Sequence, residues 1–152
     1  MNVGTMYKPK ASIITTVSLL STLSLPKQPV DAHIGILAGL PSNILSNLSS
    51  EIHVDEMIIC EWAGICYTTY CRQNKEYKKA FSVEHGCKIY MLVKVLDATI
   101  QLFNRDISVA IKWLDSPARA LDGERPLHFL SIPIGAEAIL DLIGQIEHGV
   151  IS

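Results

Sequence analysis

A chain of 152 residues that is 49% hydrophobic and 18% charged can bury a real core, which excludes a reading as a solvated tail. Its length suits one domain, or two small ones sharing a core. The net charge of −2 conceals an asymmetry. From Cys66 to Lys94 six basic residues face only Glu76 and Glu84, a net +4; from Val95 onward four basic residues face eight acids, a net −4. A basic middle and an acidic end imply two different partners, one of them a candidate polyanion.

At the N-terminus Lys8 and Lys10 precede Ala11 to Leu25, and Val30-Asp31-Ala32 has the form of a small-residue cleavage site, so a signal peptide is one reading. Many hydroxyl residues dilute the stretch, and Pro26-Lys27-Gln28-Pro29 reads as a linker. It is too short and polar to span a membrane. The favoured expectation is a cytoplasmic extension over residues 1–35, poorly ordered or loosely docked.

Helical periodicity begins after that. Leu40, Ile44 and Leu48 share a face, with Pro41 suited to a first turn. Asp55 can cap a second helix with Ile58, Ile59 and Trp62 on its apolar side, ended by Ala63-Gly64. Residues 65–73 read as a short third helix, and helix, glycine turn, helix is the outline of a helix-turn-helix. Tyr67, Thr68, Thr69, Tyr70, Arg72, Gln73 and Lys75 are its candidate DNA contacts. Packing or dimerisation alone is the competing use of this helical pair.

Ser82 can cap the longest helix, with Ile89, Leu92, Val93, Leu96, Ile100 and Phe103 in the i, i+3, i+4 rhythm. Gly86 costs about 1 kcal/mol relative to Ala in a helix interior, so fraying is expected there. Asn104-Arg105-Asp106 breaks the pattern before Ile107, Ala110, Ile111 and Leu114. Pro117 stops the next helix, Leu121-Asp122-Gly123 makes a turn, and Pro126 suits the first position of a short helix. Gly135 is expected to open a final helix with Ile139, Leu142, Ile143 and Ile146 on one buried face, and Gly149 to end it.

The order Leu102-Phe103, Ala110, Trp113-Leu114, Pro117, Ala120-Leu121, Gly123, Pro126-Leu127, Leu130, Gly135, Leu142, Gly144 and Ile146-Glu147-His148-Gly149-Val150 resembles the toxin-binding domain of the Xre/MbcA/ParS antitoxins. The resemblance covers roughly the last two thirds of the chain. It implies a RES-domain toxin as partner, one that consumes NAD+ or uses it as an ADP-ribose donor and is neutralised by covering its active-site cleft. It also implies a dimer that sets two helix-turn-helix units on an operator. The candidate toxin-facing residues are Trp113, Gly123, Arg125 and Pro126, together with Gln145, Glu147, His148, Gly149 and Val150 at the tip that the buried face of the last helix leaves exposed. In the recognition-helix pattern G-I-S-x-R-T-L-x-R-R, Gly64, Ile65, Thr69 and Arg72 fit. Cys66 stands in place of the capping Ser, while Thr68 and Gln73 replace two arginines, so two cationic phosphate contacts are missing.

No enzyme emerges. His33, His53, His85, His128 and His148 are scattered, without a zinc-protease, nucleophile-elbow or phosphate-loop motif. Glu147-His148 are helix neighbours that point in different directions, a poor acid/base pair. Cys60, Cys66, Cys71 and Cys87 form no C-x-x-C pair and read as buried free thiols of a reducing cytosol. Neither metal nor cofactor is implied.

The expectation is an all-α antitoxin: an extension (1–35), an Xre-like helix-turn-helix region (36–81), a connecting helix (82–104) and a toxin-binding domain (105–152). A free-standing transcription regulator without a toxin is one competing class, and a secreted helical protein is the other.

Overall fold

The computed structural model describes residues 18–75 and 80–149, the side chains of 74 and 75 excepted. Among them the architecture is all-α. Eight α-helices follow in order: α1 Leu19–Thr22, α2 Pro29–Ala38, α3 Asn43–Ile52, α4 Glu56–Ala63, α5 Tyr67–Lys75, α6 Val83–Leu102, α7 Ile107–Leu114 and α8 Pro133–Glu147. Two 3-10 turns, Arg119–Leu121 and Pro126–Phe129, lie between α7 and α8.

Helix α6 is the mast of the molecule. Ser82 caps it, its hydroxyl accepting from the His85 N–H at 3.2 Å. From Ile89 to Ile100 it buries Ile89, Tyr90, Leu92, Val93, Leu96 and Ile100 against α1, α2, α4, α7 and α8. A helix apolar on nearly every side belongs inside, and each such side chain contributes roughly 1.5–3 kcal/mol. The buried residues form one continuous core from Leu19 to Ile143, with α6 joining both ends.

The N-terminal segment differs from its expectation. Residues 18–38 carry two docked helices, with Leu19, Leu20, Leu23 and Leu25 all buried. The Leu19 N–H donates to Asp97 Oδ1 at 2.8 Å, the Tyr90 hydroxyl donates to the Pro26 carbonyl at 2.7 Å, and Pro29 opens α2 rather than closing a linker. Ala32 is buried within α2. Residues 1–17, with Lys8 and Lys10, lie outside the described residues.

Three further boundaries shift. Helix α3 begins at Asn43 instead of Pro41, because the Pro41 segment makes an isolated bridge to Ala80 and the Leu40 carbonyl accepts from Phe81 N–H at 2.7 Å. Gly86 is buried rather than frayed, packed beside Ile36 and Leu40, where a Cβ would find ordinary contact distances of 3.6 and 3.7 Å. Helix α8 begins at Pro133, two residues before Gly135. Gly135 serves a different purpose: a Cβ would fall 2.1 Å from the Phe129 carbonyl oxygen, so the preceding 3-10 turn crosses the helix there.

Candidate functional site

The α4-turn-α5 unit forms as its residues dictate. Asp55 stands at the N-cap of α4 without a side-chain cap bond, and Gly64 ends the helix at φ 74°. Gly64 also meets the C-terminal half. A Cβ there would lie 2.9 Å from Ser131 Cβ, and Lys88 Nζ donates to the Gly64 carbonyl at 3.2 Å. The turn is therefore fastened to both α6 and the segment before α8.

The candidate DNA contacts are not brought to one surface. Tyr67, Thr68 and Arg72 are exposed, while Thr69 and Gln73 are half-buried. Tyr70 is 2% exposed; its hydroxyl donates to Glu56 Oε1 at 2.8 Å and its ring stacks on Phe81 at 6.1 Å. Burial and the Glu56 carboxylate push its phenol above the usual range. Tyr70 is thus a core residue, which corrects its assignment to the DNA face. The side chain of Lys75 lies outside the described residues, as do Lys78 and Lys79.

Nor are all four cysteines buried. All are free, but only Cys60 is enclosed, and burial followed by the Glu56 charge raises its thiol to about 11. Cys66 is exposed at the start of α5. The Thr69 N–H, then the Thr69 hydroxyl and the Thr68 N–H, bond its sulfur and hold the thiol below its usual value.

In the C-terminal half, Asp106 caps α7 by accepting from Val109 N–H at 3.2 Å. Trp113 is half-buried, its ring 6.0 Å from that of Phe103. Pro126 is buried at the start of the second 3-10 turn, so it supports the fold instead of presenting a surface. Arg125 is exposed and pairs with Asp115 at 3.3 Å, and Gly123 is exposed at the adjoining turn. Helix α8 buries Ala136, Ile139, Leu142 and Ile143, whereas Ile146 is only half-buried. Its far end exposes Gln145, Glu147, His148 and Gly149, with His148 at the C-cap. Val150 lies outside the described residues. Arg125 and Gly123 sit on the turn between α7 and α8, in sequence well apart from the tip at 145–149.

Residues 98–149, from the last turns of α6 to the end of α8, match the family described as the Antitoxin Xre/MbcA/ParS C-terminal toxin-binding domain. Two relatives extend the likeness toward the N-terminus. An Antitoxin Xre of Photorhabdus laumondii subsp. laumondii is 32% identical over 114 residues, 75% of this chain and 76% of that protein. An Antitoxin Xre of Yersinia enterocolitica serotype O:8 is 39% identical over 117 residues, 77% of this chain and 78% of that protein. The chain belongs to the Xre antitoxin family. Alignments of this length take in more than the C-terminal half, so the likeness extends over residues N-terminal to the matched domain. No described helix is long and apolar enough to cross a membrane.

Proposed function

We propose that this Xre antitoxin neutralises a RES-domain toxin by stoichiometric docking, without catalysis, and that it acts in the cytoplasm. The supporting observation is the coincidence of the toxin-binding match over 98–149 with a packed unit of the α6 end, α7 and α8 whose polar tip is left uncovered. Gln145, Glu147, His148 and Gly149 stand exposed at the end of a helix anchored by Ile139 and Ile143, a polar end whose Glu147 carboxylate suits a cleft that holds a pyrophosphate. Trp113, Gly123 and Arg125 are the further candidate contacts. Co-expression in a growth assay tests this reading: the chain is expected to rescue cells from a RES-domain toxin encoded beside it. A chain that is expressed and folded yet gives no rescue contradicts it.

We further infer that α4 and α5 act as a helix-turn-helix on the operator of a homodimer, with Arg72, Tyr67 and Thr68 outermost, Thr69 and Gln73 beside them, and Lys75 next along the sequence. Support comes from the local +4 charge and the exposure of Arg72 on α5. Replacing Arg72 and Lys75 by Ala should weaken binding to all duplexes and lower the salt slope by about one to two phosphate contacts. An unchanged gel-shift titration across salt concentrations removes α5 from the DNA surface.

A further inference from the structure

Where the end of α6, α7 and the distal half of α8 meet, an open groove of about 480 Å³ is left unfilled. Leu102, Phe103 and Trp113 form one side, and Leu142 with Ile146 the other. Arg119 and Ala120, both exposed on the first 3-10 turn, stand at its lip. The groove exists because α7 is short and Pro117 turns the chain away, so the α8 stripe outruns the side chains available to cover it. Ile146 is half-exposed for that reason.

Arg119 is the one charged residue lining the groove, and it has no ion-pair partner among the described residues. Its sign is opposite to that of its surroundings, because the chain from Val95 onward carries a net −4. An apolar trough ending in a free guanidinium is complementary to an apolar segment that ends in a carboxylate. A second copy fits less well, since the same groove on a two-fold mate brings no carboxylate to pair with Arg119. Every residue lining the groove lies within 98–149, the stretch matched to a toxin-binding domain.

We propose that this groove is a second docking site for the toxin, receiving an apolar segment whose acidic side chain pairs with Arg119. The proposal rests on the reading of the partner as a RES-domain toxin. It gives the interface an anchor separate from the tip, with Trp113 as its aromatic wall.

Two exposed positions allow a test without disturbing the core. Arg119→Glu reverses the charge, and Ala120→Trp fills the groove. In calorimetric titrations of the full-length chain against the RES-domain toxin encoded beside it, each variant should raise Kd at least tenfold, while Arg119→Lys stays within about threefold of wild type. Circular dichroism should be unchanged for all three. Wild-type binding that survives both Arg119→Glu and Ala120→Trp within threefold overturns the groove and leaves the toxin reading standing. Conversion of a dimer to a monomer by Ala120→Trp, with toxin affinity intact, assigns the groove to a second copy and also overturns it. A wild-type chain that does not bind the toxin overturns the RES reading and the groove together.

Discussion

Removal of residues 147–152 is expected to leave a folded protein that loses most of its protection against the toxin. The deletion takes the final residue of α8, its cap and the segment beyond, while Ile139, Leu142 and Ile143 stay in place. Loss of the helix end should cost on the order of 1 kcal/mol, small beside a core of this size. The polar tip disappears with it. In the co-expression assay the truncated chain is expected to lose most of its rescue, and its circular dichroism should remain helical. Rescue equal to that of the full chain would show that the tip contributes nothing and that contact lies between Trp113 and Leu130.

The largest structural effect is expected at Gly135. A methyl group there would lie 2.1 Å from the Phe129 carbonyl oxygen and within 3.0 Å of its carbon, and both are backbone atoms that cannot rotate away. Either α8 or the Pro126–Phe129 turn must move, separating Leu130 from the core. Gly135→Ala should therefore cost about 3 kcal/mol or more, lowering Tm by roughly 10 °C for a domain of this size. Gly144 supplies the control on the same helix. A Cβ there meets nothing within 4 Å, so Gly144→Ala should stabilise the protein by up to about 1 kcal/mol. Thermal melts in which the two variants behave alike would contradict the packing at Gly135.

The difference between these glycines also marks how much the sequence discloses. Periodicity located α4, α6, α7 and α8 because their apolar positions repeat within one helix and their breakers are local. Spacing makes Gly135 a helix opener, because a close approach by Phe129 leaves no trace in it. The N-terminal helices leave little local signal for a related reason. Ser and Thr dilute residues 11–25, and the partners that fix α1 and the turn after it, Asp97 and Tyr90, are 78 and 64 positions away.

The candidate sites divide along the same line. The exposed tip at 145–149 followed from the helix face and its terminal glycine, both local features. Tyr70 shares a short helix with Tyr67 and looked equally available, yet Phe81 and Glu56 draw it inside. The groove beside Trp113 was illegible because its walls come from three separated stretches, 102–103, 113–120 and 142–146. Only their packing makes a surface.

Amide hydrogen exchange on the complex of this chain with the RES-domain toxin proposed as its partner tests the central claim, that the C-terminal unit carries the toxin interface. Added protection is expected in two segments, the lip at 113–121 and the end of α8 at 142–149, with α4 and α5 unchanged. Protection confined to α4 and α5, with the C-terminal segments exchanging as in the free chain, would contradict it.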